Sequence, residues 1–153
     1  MADLSLRLVP DPALRAICAP VDDFDAALLQ TAKAMLDVMY AAKGRGLAAP
    51  QVGLITRVFV MDSTWKSSDP TPRIFVNPEM TACSETIAVF EEGCLSIPNQ
   101  TSRVARPDRV SLRWQGVDGA FQSGDFTGFE AACVQHEIDH LNGVLCTDYP
   151  EAP

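Results

Sequence analysis

The chain has 153 residues, the usual length of one globular domain, and 47% of them are hydrophobic. No apolar run reaches the roughly 20 residues of a membrane-spanning helix, and the first residues lack the basic and apolar segments of a signal peptide. The net charge of −8 argues against a nucleic-acid-binding face, which needs clustered lysine and arginine. We therefore expect one domain over residues 1–153, located in the cytoplasm, without a membrane or nucleic-acid partner.

The cysteines are odd in number, widely spaced and without a CxxC pair, which argues against a disulfide framework and favours a reducing compartment. They are Cys18, Cys83, Cys94, Cys133 and Cys146. At least one of them is available as a metal ligand.

The first half of the chain predicts one helix and one strand. Asp25 is a suitable N-cap, apolar residues follow it at helical spacing, and Gly44 is expected to end the helix. Residues 44–51 are predicted to form a loop. A strand is predicted over residues 57–61, followed by a polar surface loop at 63–72.

The second half predicts strands and then a second helix. Strands are expected over residues 74–76, 86–90 and 110–114, with a hairpin turn at Asp118-Gly119. Thr127 and Glu130 have the spacing of a capping box, so a helix is predicted from about 128 to 142. Its apolar residues lie on most sides, which is typical of a buried helix. The order favours an α+β fold in which antiparallel β-sheets pack around this central helix, together with an N-terminal helix.

The central helix carries the strongest chemical signal in the chain, a HExxH pattern. His136 and His140 are four residues apart and project from one helix face, so both imidazoles can reach one ion. Glu137 lies beside them and can take a proton from metal-bound water. Two histidines on an exposed helix would need no ion, but burying two imidazoles without partners is costly. We therefore predict a metal-binding helix.

A catalytic site of this type uses three protein ligands and leaves one position open. Cys146 lies where one metallopeptidase pattern has a third histidine, and Glu151 is the only glutamate left for a pattern that uses a glutamate downstream. Cys94, after a predicted strand, is the better candidate. Spacing alone does not separate this role from that of a small buried core residue.

Three segments together resemble the three motifs of peptide deformylases, in the same order: GRGLAAPQ at 44–51, EGCLS at 92–96 and QHEIDH at 135–140. The resemblance implies removal of the formyl group from N-formylmethionine of nascent polypeptides. It also implies that Cys94, His136 and His140 bind a divalent metal, usually Fe²⁺, which Zn²⁺ or Ni²⁺ can replace. Glu137 would act as general acid–base, while Gln51 and the backbone N–H of Leu95 would bind the oxyanion.

The resemblance further implies that the backbone near Gly44 and Gly46 pairs with an extended substrate, as in β-strand addition. The partners would be N-formylated nascent peptides, with a transient contact to the ribosome. The residues expected to contact substrate are Gly44, Arg45, Gly46, Gly93, Phe129, Ala132 and Cys133.

Some positions depart from the family pattern. Arg45 stands where the family usually has Ile or Val, and Thr101 stands where many bacterial members have an arginine that Arg103 could replace. Arg106 and Asp139 could form a pair that steadies the metal-binding helix. The alternatives to an active deformylase are a related hydrolase with altered N-acyl or first-residue specificity, a catalytically silent peptide-binding paralogue, and an endopeptidase with a HExxH motif.

Overall fold

The computed structural model describes residues 4–153, so the first three residues of the predicted domain lie outside it. It has two α-helices, seven strands and short 3₁₀ turns within the described range. The helices are α1 (Ala26–Ala41) and α2 (Gly128–Leu141). The strands are β1 (Gly46–Ala48), β2 (Val58–Met61), β3 (Arg73–Cys83), β4 (Ile87–Cys94), β5 (Ile97–Pro107), β6 (Arg109–Gln115) and β7 (Phe121–Thr127).

Helix α1 begins as predicted, because the Asp25 side chain accepts a hydrogen bond from the N–H of Leu28. The prediction that Gly44 ends this helix is wrong. Lys43 takes the left-handed conformation with φ of 60°, and the N–H of Gly44 donates to the carbonyl of Met39. Gly44 therefore lies beyond the end of the helix, in the short segment that leads into β1.

The strands form two antiparallel sheets. Five of them lie in the order β1-β2-β3-β6-β7, and β4 and β5 form a separate hairpin. Strand β1 falls inside the segment predicted to be a loop, and β5 was not predicted. Every second residue is buried at one end of β5, as expected for a strand, but the buried residues are Ser102, Val104 and Arg106. Two of the three are polar, so the sequence does not show the apolar alternation that predicts a strand.

Helix α2 lies between the two sheets, contacting β1, β2 and β7 on one side and β5 on the other. Its apolar residues complete a core with an aromatic cluster of the large sheet: Phe59, Phe75, Trp114 and Phe126. This confirms the α+β class with a central helix. The predicted capping box is wrong, because the Thr127 side chain caps nothing and Glu130 accepts from Ser63 instead.

None of the described helices has both the length and the apolar character needed to cross a membrane. All five cysteines are free thiols, as predicted from their spacing.

Candidate metal centre and active-site cleft

The two histidines of α2 face each other at the buried end of a cleft. Nε2 of His136 lies 3.2 Å from Nε2 of His140, which follows from their separation of one helical turn. Both rings are buried, with 7% and 0% of their surfaces exposed. Burial and the neighbouring His136 lower the pKa of His140 well below its usual value, so this ring is neutral and keeps a lone pair for a ligand bond.

The third member of this cluster comes from the other sheet. Cys94 ends β4, and its Sγ lies 3.4 Å from Nε2 of His140. The three ligand atoms of Cys94, His136 and His140 all lie within 4.8 Å of one another. The structure thus brings together the two histidines and the thiol that the sequence separates by more than 40 residues.

The cluster fits a divalent metal ion. One thiol and two imidazoles are a donor set suited to iron, zinc or nickel, and bond lengths of about 2.0–2.3 Å match ligand atoms with this spread. Facing nitrogen lone pairs 3.2 Å apart repel unless a proton or a cation lies between them. A shared cation removes this cost for the whole group.

Glu92 orients the His136 ring from the side opposite the cluster. Its carboxylate lies 3.0 Å from Nδ1 of His136 and accepts that N–H, which turns Nε2 toward the cluster. Arg106 donates to both oxygens of Glu92, at 2.6 and 2.9 Å. Burial alone would raise the pKa of Glu92, but the hydrogen bonds from Arg106 and His136 outweigh it and lower the pKa, so Glu92 is an anion.

Arg106 also reaches Asp139 at 2.9 Å, and Tyr149 donates to the same carboxylate at 2.7 Å. The pair of Arg106 and Asp139 predicted from the sequence is therefore present. Sequence reasoning missed Glu92 and Tyr149. For Glu92, the usable signal was an acidic residue within the EGCLS motif, two positions before the candidate ligand.

Glu137 is the carboxylate next to the cluster. It is 4% exposed, and its Oε1 has no hydrogen-bond partner among the described residues. Burial raises the pKa of Glu137 to about 7. A carboxyl group with this pKa exchanges protons readily near neutral pH, which suits general acid–base chemistry.

Gly46 allows Glu137 to sit against the backbone of β1. A Cβ at position 46 would lie 2.6 Å from Oε2 of Glu137 and 2.8 Å from Sγ of Cys133. The carbonyl of Arg45 accepts from Asp62, so the antiparallel alternation directs the N–H and carbonyl of Gly46 away from β2. The open edge of β1 at Gly46 therefore borders the cleft.

Gln51 approaches the cluster from the 3₁₀ turn after β1. Its Oε1 accepts from the N–H of Ala48, which fixes the amide so that Nε2 points to Ser96 at 3.1 Å and to Sγ of Cys94 at 3.8 Å. Leu95 follows Cys94 directly, and a Cβ on Gly44 would meet its side chain at 2.6 Å. The two loops that carry Gln51 and Leu95 are therefore in contact beside the cluster.

The cleft has a volume of about 790 Å³. Its lining includes Cys94, His136, Glu137, Gln51 and Leu95, together with every residue predicted to contact substrate: Gly44, Arg45, Gly46, Gly93, Phe129, Ala132 and Cys133. Thr101 also lines it, but Arg103 does not. Arg103 instead binds Glu91 and the carbonyls of Ala152 and Pro153, so it is not available to replace an arginine at position 101.

The profile of the polypeptide deformylase family matches residues 4–152. The peptide deformylase of Afipia carboxidovorans is 44% identical over 97% of this chain and 87% of that protein, and the one of Rhizobium meliloti is 44% identical over 94% and 83%. The crystal structure of peptide deformylase from Thermotoga maritima superposes with a TM-score of 0.92 at 38% identity, covering 100% of both chains. The crystal structure of a peptide deformylase from Synechococcus elongatus in complex with actinonin superposes with a TM-score of 0.93 at 38% identity, covering 97% of this chain and 80% of that chain.

Fold and site together define a metal-dependent hydrolase with an α+β fold. The chain belongs to the polypeptide deformylase family.

Proposed function

We propose that this deformylase removes the formyl group from N-formylmethionine at the start of nascent polypeptides, at one divalent metal ion held by Cys94, His136 and His140. The observation that carries the proposal is the convergence of these three ligand atoms next to a buried, unpartnered carboxyl oxygen of Glu137, within a cleft. The whole of residues 1–153 forms the catalytic domain.

Fe²⁺ is the proposed native metal, with Zn²⁺ or Ni²⁺ able to replace it. A bound ion of this kind acts as a Lewis acid and lowers the pKa of water toward neutrality. The thiol of Cys94 and the imidazoles of His136 and His140 hold it, and Glu92 and Arg106 keep His136 in the required orientation.

Glu137 moves the protons. It accepts one from the attacking water as the oxygen adds to the formyl carbon, and it returns that proton to the methionine nitrogen as the C–N bond breaks. The products are formate and a free amino terminus. A carboxyl group whose pKa is raised to about 7 serves in both directions near neutral pH.

Gln51 and the backbone N–H of Leu95 are the proposed donors to the oxyanion that forms at the formyl oxygen. Fixed donors of this kind stabilise charge that develops during the reaction. The support for Gln51 is that the N–H of Ala48 holds its oxygen, which leaves the Nε2 group on the side of Cys94. Leu95 is adjacent to the ligand Cys94 and lines the cleft.

The substrate backbone pairs with the open edge of β1 at Gly46, and the first side chain lies against Phe129, Ala132 and Cys133. Main-chain hydrogen bonds to a strand edge recognise a peptide of any sequence, while the adjacent pocket selects the first residue. We place this reaction in the cytoplasm, on chains that are leaving the ribosome, with a transient contact to the ribosome itself.

A direct test is to purify the chain without oxygen, measure its metal content and assay formyl-Met-Ala-Ser on the same sample, because a thiolate–iron site is oxidised readily. We expect bound iron and release of formate. A chain that carries metal but releases no formate from this peptide would favour the silent peptide-binding paralogue. Cleavage of internal peptide bonds would favour the endopeptidase.

A further inference from the structure

The rim of the cleft beside β1 carries three positive side chains. Lys43, Arg45 and Lys66 are exposed and line the cleft. Within residues 4–153, no ion pair joins any of them to a carboxylate. We call these three residues the basic rim.

The carboxylates that line the same cleft do not neutralise this rim. Glu92 is paired with Arg106, and Glu91 lies 3.4 Å from Arg103. Glu137 is buried at the inner end of the cleft beside the metal cluster, away from the exposed rim. On a chain with a net charge of −8, the basic rim is thus a local region of opposite sign at the entrance to the active site.

Aromatic rings hold two members of the rim in place. Cζ of Arg45 lies 3.8 Å from the centre of the Phe129 ring, and Nζ of Lys66 lies 5.6 Å from that of Trp65. Trp65 is itself anchored, since its Nε1 donates to the carbonyl of Gly44 at 3.0 Å. The Phe129 ring covers one face of the Arg45 guanidinium. The N–H donors point outward in the plane of the group, so they are still able to bind a carboxylate.

We propose that the basic rim binds an acidic side chain at the second or third residue of the formylated peptide, so that the enzyme selects chains with acidic amino termini. This inference rests on the proposed function, which places the formyl group at the metal and the peptide backbone along Gly46. Arg45 directly precedes Gly46, the first residue of β1, and both line the cleft, so side chains that follow the first residue of the peptide pass beside the Arg45 guanidinium.

The test compares formyl-Met-Glu-Glu-Ser, formyl-Met-Lys-Lys-Ser and formyl-Met-Ala-Ala-Ser on the metal-loaded enzyme at low and high salt. We expect kcat/KM to be up to about fivefold higher for the acidic than for the basic peptide, mainly through KM, because exposed charge pairs are individually weak. The ratio should approach one at about 1 M salt, where the Debye length is about 3 Å.

Arg45→Met keeps most of the side-chain length and removes the charge, so it should reduce the acid-to-base ratio, and Lys66→Met should reduce it less. Arg113→Met is the matched control, because Cζ of Arg113 lies 3.8 Å from the centre of the Phe121 ring but neither residue lines the cleft. It removes an equal charge and an equal stack elsewhere, so the ratio should stay at the wild-type value.

Fluorescence anisotropy of the same peptides, labelled at their carboxyl termini, on the Glu137→Gln protein gives the selectivity without turnover. If the neutral peptide is not hydrolysed but the acidic peptide still binds better, the proposed function fails and the basic rim stands. Equal kcat/KM and equal binding for acidic and basic peptides, or a ratio that Arg45→Met leaves unchanged, would overturn the inference.

Discussion

The carboxylate of Glu92 accepts the Nδ1–H of His136 at 3.0 Å, although the two residues are 44 positions apart and lie on different elements. The contact joins β4, which carries the proposed ligand Cys94, to α2, which carries the other two proposed ligands. This hydrogen bond therefore orients the His136 ring and is one of the contacts that join the hairpin to the helix.

Arg106→Met should weaken the protein and its metal site together. The substitution leaves the buried anion of Glu92 without its bidentate partner, which typically costs about 3–5 kcal/mol. We expect a drop of this size in the free energy of unfolding by urea, with weaker metal binding in a competition titration. Arg109→Met is the control, since its ion pair with Asp125 is exposed and such pairs contribute at most about 1 kcal/mol. Equal losses in the two variants would contradict the structural role of Arg106.

Glu137→Gln should retain the metal and lose the activity. The amide has the same shape but cannot accept a proton, and general acid–base catalysis contributes about 100- to 10,000-fold. The measurement is kcat/KM for formyl-Met-Ala-Ser with metal content determined on the same preparation. Glu130→Gln, on the same helix but hydrogen-bonded to Ser63, should stay close to wild type. A Glu137→Gln protein with nearly full activity would exclude Glu137 as the proton carrier.

Cys94→Ser should lose most of the bound metal, because a neutral hydroxyl is a much weaker ligand for these ions than a thiolate. Metal analysis after dialysis against a mild chelator measures the loss. Cys83→Ser removes an exposed thiol on β3 and should bind metal like the wild type. If both variants retain the ion, the metal is held elsewhere.

Gly46→Ala should reduce activity by about 100-fold, the effect expected from moving a reacting group by about 1 Å. The new Cβ would lie 2.6 Å from Oε2 of Glu137, so the carboxylate or the strand must shift. The thermal unfolding of Gly46→Ala is compared with that of Gly93→Ala to separate an effect on folding from one on activity. A Cβ at Gly93 meets nothing within 4 Å. Full activity of Gly46→Ala would mean that Glu137 tolerates displacement.

Asp148 should make stability depend on pH through its exposed pair with Arg15. The Arg15 hydrogen bonds, one of them at 3.0 Å, lower the pKa of Asp148. Its stabilising effect, at most about 1 kcal/mol for a half-exposed pair, is present above the unfolded pKa of about 3.9 and is lost as the pH falls through the lower folded pKa. The difference in unfolding free energy between wild type and Asp148→Asn should therefore shrink as the pH falls below about 3.9 and disappear once the folded pKa has been passed. A difference that persists there would have another origin.

The sequence alone determined the presence of both helices, the fold class and the placement of two histidines on one face of α2. The spacing of His136 and His140 is a property of any α-helix, so local periodicity was sufficient to place both rings on one face. Asp25 marked the start of α1, because an N-cap depends on neighbouring residues only.

Only the tertiary structure decided which distant groups complete the site. Spacing in the sequence does not predict three of the contacts in the site. They are the position of Cys94 beside His140, the buried pair of Glu92 and Arg106, and the stack of Arg45 on Phe129. Strand β5 was missed because it buries Arg106 where an apolar residue is expected. The cost of burying this charge is compensated only by the ion pairs with Glu92 and Asp139, which come from distant parts of the chain. Contacts between residues far apart in the chain depend on how the sheets pack around α2, and that packing has no local signature.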